Sequence, residues 1–222
     1  MRTAAPVLGL FLLLGCSSAS PPSGFEEKSD KPGGFGDGGS SGSIGGNKPT
    51  PGGNQTGCSE AAKLVYVVSD ANDLFSFTPD KGTFTKIGTL TCPSGGATPN
   101  SMAIDRTGTA WVNYSDGGLF KASTADASCE ATTYEKGQGG VTRFGMAFAT
   151  NSATSQEETL YVVGIEGISG GRGLAKIDLT TMKLTALGDF SGTLKGQGAE
   201  LTGTGDGRLF GFFSFYQTGK NE

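Results

Sequence analysis

The sequence predicts an all-β fold, a β-propeller-like repeat of four-stranded blades preceded by a flexible tether. Three observations predict it. An aromatic, β-rich segment recurs as Leu64-Val65-Tyr66-Val67-Val68, Ala110-Trp111-Val112-Asn113-Tyr114, Leu160-Tyr161-Val162-Val163 and Arg208-Leu209-Phe210-Gly211-Phe212, so that Tyr66, Trp111, Tyr161 and Phe210 are 45, 50 and 49 residues apart. A period of roughly 40–50 residues with several strands per unit is the signature of propeller blades. The chain of 222 residues holds 39 glycines and only 17 % charged residues, the composition of short strands joined by tight turns. No stretch of residues 58–222 carries a helical hydrophobic period.

Each unit has the same internal order. A small-residue strand comes first: Ser101-Met102-Ala103-Ile104-Asp105, Gly145-Met146-Ala147-Phe148-Ala149 or Gly198-Ala199-Glu200-Leu201-Thr202. In this alignment Glu200 stands where the other units have Ala103 and Ala147. A turn such as Arg106-Thr107-Gly108 or Gly205-Asp206-Gly207 leads to the aromatic strand. The third strand reads Leu74-Phe75-Ser76-Phe77, Leu119-Phe120-Lys121-Ala122 or Leu174-Ala175-Lys176-Ile177. The fourth reads Phe84-Thr85-Lys86-Ile87, Glu130-Ala131-Thr132-Thr133-Tyr134 or Leu184-Thr185-Ala186-Leu187. Small residues suit the crowded inner edge of a blade, and alternating apolar residues suit packing between blades. An open sandwich is the alternative all-β fold, but it requires no long-period repeat. The first unit lacks its small-residue strand and the last stops after its aromatic strand. About three and a half blades result, where closed propellers have about four to eight. The sequence therefore reads as part of a longer propeller, or as one that closes by self-association, since a raw sheet edge invites pairing.

The N-terminus sets the compartment. Met1-Arg2 supplies a positive charge, and 7–14 form an apolar run of signal-peptide length, too short to span a bilayer. The run ends in Leu13-Leu14-Gly15-Cys16, which resembles the lipobox of bacterial lipoproteins. That resemblance implies a signal peptide over 1–15, cleavage before Cys16 and lipidation at Cys16, with several acyl chains giving a stable membrane anchor. Ser17 and Ser18 follow with no Asp, a pattern that implies sorting to the outer membrane. Residues 16–57 comprise the lipidated cysteine and a tether dominated by Gly, Ser and Pro, a composition that buries too little apolar area to fold. Residues 17–57 would reach roughly 35 Å as a random coil. Residues 58–222 form the single folded domain.

The chemistry-bearing residues are sparse. Histidine is absent, which removes the commonest general base and metal ligand. The net charge is −4 with scattered Lys and Arg, so no nucleic-acid surface is expected. Beyond Cys16 there are Cys58, Cys92 and Cys129. An oxidising compartment favours a pair. Cys92–Cys129 is preferred, worth roughly 3–4 kcal/mol in the chain-entropy model, although consecutive outer strands can place these residues on opposite faces. Cys58–Cys92 is the competitor. No metal site or cofactor is expected. Asp70, Asn72 and Asp73, and Asp116 and Asp206 beside their glycines, are explained by turn geometry at less cost than by calcium. Gly167-Ile168-Ser169-Gly170-Gly171-Arg172-Gly173 lies between two strands and reads as a hairpin loop, not a phosphate cradle. Glu200, on a small-residue strand, is the one candidate for ligand contact in the central channel, with Arg143 as its candidate basic partner.

The segment from about Leu64 to Phe213 resembles propeller-type outer-membrane lipoproteins of unassigned function. The residues that carry the resemblance include Gly108-Thr109-Ala110-Trp111-Val112, Phe144-Gly145-Met146 and the run Ala199-Glu200-Leu201-Thr202-Gly203-Thr204-Gly205-Asp206-Gly207-Arg208-Leu209-Phe210. It implies a fold and an envelope location, not an activity. The function expected is a non-enzymatic binding or scaffold module, attached to the membrane by its N-terminal lipid and facing a protein or glycan partner. An extracytoplasmic propeller hydrolase or lactonase, or a non-functional fragment, are the alternatives.

Overall fold

The computed structural model describes residues 59–165 and 173–213. The signal peptide, Cys16, the tether, Cys58 and the loop 166–172 lie outside the described residues.

Thirteen strands form four antiparallel sheets among the described residues, each sheet running in chain order. The first contains β1 (Val65–Val68), β2 (Asp73–Thr78) and β3 (Thr83–Thr89). The second contains β4 (Pro99–Ile104), β5 (Thr109–Tyr114), β6 (Leu119–Ser123) and the short β7 (Cys129–Ala131). The third contains β8 (Phe144–Thr150), β9 (Glu158–Gly164), β10 (Leu174–Asp178) and β11 (Lys183–Gly188). The fourth contains β12 (Glu200–Gly203) and β13 (Leu209–Phe212). No α-helix occurs among the described residues. This is the propeller-type architecture, all-β with repeated four-stranded units, that the sequence predicts.

Turn chemistry explains why the strands stop where they do. Asp105 accepts from the backbone N–H groups of Thr107 and Thr109 (2.9 and 3.0 Å) and from the Trp111 indole (3.0 Å), so one carboxylate shapes the β4–β5 turn and orients the aromatic strand. Asn72 turns the β1–β2 hairpin with φ of 66° and accepts from the Tyr114 hydroxyl at 2.8 Å. Asp73 is held by Lys86 (2.7 Å) and Thr89 (2.6 Å). Asp206 bonds Thr204 and pairs with Arg208 at 2.8 Å. These carboxylates and amides therefore have turn and pairing roles.

The core consists of three apolar layers, one in each seam between successive sheets. Tyr66 and Leu74 face Met102, Val112, Tyr114 and Phe120 across the first seam. Ala103, Trp111 and Leu119 face Phe144, Met146, Leu160 and Val162 across the second. Ala147 and Val163 face Ala199 and Leu201 across the third. Within one sheet, residues of alternate parity serve opposite seams, as a period of two requires. Each sheet therefore has a forward face, turned to the next sheet in chain order, and a backward face.

A disulfide joins Cys92 to Cys129, with Cα atoms 4.7 Å apart. Cys92 lies in the connection between β3 and β4, outside any strand, so the strand-face objection does not arise. The bond ties the link from first to second sheet onto the outermost strand of the second. Both cysteines pack against the first apolar seam.

Candidate functional site

The strands β4, β8 and β12 begin their sheets and lie side by side, β4 against β8 and β8 against β12. Their pairing with the aromatic strands fixes which residues are equivalent. Trp111 pairs with Ala103, Tyr161 with Ala147, and Phe210 with Thr202. The equivalent of Ala103 and Ala147 is therefore Thr202, and Glu200 is equivalent to Ser101 and Gly145. The sequence alignment of Glu200 with the two alanines is out of phase by two residues. A shift of two leaves every side chain on the same face, so hydrophobic alternation does not detect it.

The corrected register brings the site together. Gly145 lies at a close crossing of β8 and β12: a Cβ there would stand 2.1 Å from the Ala199 carbonyl oxygen and 2.8 Å from the Glu200 Cα. Glu200 reaches past this side-chain-free position to the second sheet, where the Ser101 hydroxyl donates to its Oε2 at 3.0 Å. Ser101 is 2 % exposed, while Glu200 keeps partial contact with solvent. Burial dominates the carboxyl all the same, pushing it up to about 7 against the smaller, opposing effect of the Ser101 hydrogen bond.

A buried amide network stands beside this pair. Asn113 is fully buried. It donates to the carbonyls of Gly118 (3.2 Å) and Thr142 (3.4 Å) and accepts from the Phe144 N–H and from Asn100 Nδ2, both at 3.1 Å. Asn100 donates in turn to the Phe144 carbonyl at 3.1 Å. Two amides on β4 and β5 thus fasten the second sheet to the start of β8. Sequence reasoning missed them, although an Asn at an inward position of a strand is itself a signal, because Asn is depleted in strands.

Arg143 directly precedes β8, and its carbonyl accepts from the Ile165 N–H at 2.7 Å. The Glu200 carboxylate accepts from the Ser101 hydroxyl. Among the described residues no group of three or more Cys, Asp or Glu is placed to hold a metal ion. A carboxyl that titrates near neutrality beside a hydroxyl can accept from a hydroxyl or an ammonium group, or exchange a proton with it.

No protein-family model and no curated protein matches this chain. Solved structures do. A structural-genomics protein of unknown function from Bacteroides thetaiotaomicron VPI-5482 is 13 % identical with a TM-score of 0.41, over 58 % of this chain and 31 % of that one. The Dos1 propeller is 13 % identical with a TM-score of 0.39, over 58 % of this chain and 33 % of its own length. The chain thus spans about a third of the length of these structures. The fold assignment rests on the order and register of the four sheets themselves.

Proposed function

We propose that this chain is a lipid-anchored protein of the outer membrane whose propeller-type domain is a binding module, with Glu200, backed by Ser101, at the point of ligand contact. The anchor rests on the lipobox-like Leu13-Leu14-Gly15-Cys16 and the Gly/Ser/Pro-rich stretch behind it. The contact point rests on one observation: Glu200 carries a carboxyl that burial pushes up to about 7, at a position where Ser101 and Gly145 stand in the neighbouring sheets. Such a group costs stability when ionised, so stability does not account for it. The ligand is a hydroxyl- or amine-bearing group of a protein or glycan partner.

Glycan and peptide arrays probed with wild type and Glu200→Gln test this reading. Ligands retained by wild type and by an exposed-site control, Lys81→Ala, should be lost at least tenfold by Glu200→Gln. Identical retention by all three proteins would sink the assignment.

The Ser101–Glu200 hydrogen bond also favours a hydrolase, in which the carboxyl serves the serine as general base. The near-complete burial of Ser101 stands against it. Turnover of chromogenic esters that disappears in Ser101→Ala would favour the enzyme; its absence in wild type would dismiss it.

A further inference from the structure

The second sheet carries a cleft of about 540 Å³ whose walls come entirely from residues between Thr107 and Glu130. Neither Ser101, Gly145 nor Glu200 lines it. Strand pairing sets Thr109 opposite Ser123, Trp111 opposite Lys121, and Lys121 opposite Glu130. Paired residues share a face of the sheet, so Thr109, Lys121, Ser123 and Glu130 stand together on the side of Trp111. The β4–β5 turn brings Thr107, and the β6–β7 connection brings Thr124 and Ser128, to the same cleft.

The partners of the lining hydroxyls fix their direction. Thr107 donates to Asp105 Oδ1 at 2.6 Å, so Thr109 is the donor in its 3.2 Å bond to Thr107. Thr124 donates to the Gly108 carbonyl at 2.7 Å and Ser128 to Asp126 at 2.8 Å, and Ser123 bonds the same carboxylate. A carboxylate or carbonyl can only accept, so these hydroxyls give their hydrogens to the protein and keep lone pairs for a ligand. Lys121 and Glu130 are cross-strand neighbours, yet neither joins an ion pair among the described residues. The Lys121 ammonium instead sits 4.8 Å over the Trp111 ring. The cleft thus offers hydroxyl oxygens, one carboxylate and one ammonium donor.

We propose that this cleft is a binding site for a neutral carbohydrate, whose hydroxyls donate to Glu130 and the hydroxyl oxygens and accept from Lys121. A sugar hydroxyl is donor and acceptor at once, which is what this lining requires. An anion such as phosphate would meet one cation against a carboxylate and a wall of lone pairs. An organic ammonium ion would meet Lys121. An apolar ligand would leave the polar lining unpaired. The volume falls within the roughly 300–1,000 Å³ of small-molecule sites. The Trp111 ring holds the ammonium, and the Cys92–Cys129 bond anchors the strand that carries Glu130, so donor and acceptor are set before a ligand arrives. The site is separate from the Ser101–Glu200 contact and stands whether or not that contact binds.

Amide NMR of the labelled full chain, in a detergent without a sugar headgroup, tests the proposal. The probes are methyl glycosides of the common hexoses and N-acetylhexosamines, with inorganic phosphate and ethanolamine as rivals. At least one glycoside should shift the amides of 107–109 and 121–130 and saturate in the millimolar range. Lys121→Met keeps an apolar stem on Trp111 and removes the donor; Glu130→Gln keeps the shape and removes the charge. Each should weaken that glycoside roughly tenfold, the loss of one hydrogen bond to a charged group. Amide spectra that otherwise match wild type show the fold retained in both. The proposal is overturned if no glycoside shifts these amides at tens of millimolar, if phosphate or ethanolamine shifts them more strongly, or if both variants bind as wild type does. Shifts confined to the surroundings of Ser101, Gly145 and Glu200 belong to the other site and overturn this one.

Discussion

Glu200 lowers the stability of the fold at neutral pH, and the sign follows from its burial. The carboxyl moves from the ordinary 4.5 up to about 7 on folding. The folded chain therefore holds a proton that the unfolded chain releases between those values. Stability should be full below about pH 4.5, fall as pH rises to about 7 and stay level above, a loss on the order of 2 kcal/mol. Glu200→Gln keeps an acceptor for Ser101 and removes the ionisation. It should melt several degrees above wild type at pH 8 and show no gain at pH 5. Equal pH slopes for the two proteins in calorimetry would refute the assignment. Asn113 works in the opposite direction. Its amide makes two donor and two acceptor bonds inside the second seam. Asn113→Leu has nearly the same shape but strands the Phe144 N–H and takes an acceptor from the Asn100 amide. A stranded buried group costs about 1–3 kcal/mol, so a loss of about 2 kcal/mol or more is expected in denaturant titration. A loss below about 1 kcal/mol would show that water replaces the amide.

At the scale of the element, strand positions were legible and strand phase was not. Tyr66, Trp111, Tyr161 and Phe210 mark the aromatic strands because large apolar residues bounded by Gly and Asp turns have few other placements. The strand containing Glu200 was misplaced because Gly198 and Ala199 are as small as Ser101 and Ala103, and only backbone pairing distinguishes a shift of two. The same smallness now has a cause: at Gly145 and Gly203 a Cβ would stand 2.1 and 1.9 Å from a carbonyl oxygen of the neighbouring strand. Backbone cannot yield as a flexible side chain does, so Gly145→Ala should force the third and fourth sheets apart and cost about 2–3 kcal/mol. Proteolysis should then cut first between 189 and 213; an unchanged digestion pattern would contradict the close crossing. The Cys92–Cys129 bond is legible as a pair from the expectation of an oxidising compartment, while its geometry is not, since Cys92 sits in a connection whose path no periodicity encodes. The three-residue β7 has little pairing of its own. Reduction should free it and lower stability by roughly 3–4 kcal/mol. Non-reducing peptide maps should show the Cys92 and Cys129 peptides joined.

At the scale of the molecule, four sheets and three seams make an array in which each sheet packs on its neighbours, with the Ser101–Glu200 hydrogen bond reaching from the second sheet to the fourth. Among the described residues, the second and third sheets are covered on both faces and the fourth on its backward face. The disulfide adds a further tie between the first and second sheets, and the Asn100–Asn113 network a further tie between the second and third. Across the third seam the Thr150 hydroxyl donates to the Thr204 carbonyl at 3.2 Å, but the apolar contact is small. Four buried residues line it, against thirteen in the second seam. Local opening should therefore begin at β12 and β13 and cross the third seam before it reaches the second. Hydrogen exchange measures this order directly. Amides of β5, β6, β8 and β9 should exchange slowest, and those of β12 and β13 fastest by several orders of magnitude. Reduction of Cys92–Cys129 should then speed exchange in β7 and leave β12 and β13 unchanged, because two seams separate them. Uniform protection across all four sheets would mean that the seams are energetically equal and the array unfolds as one unit.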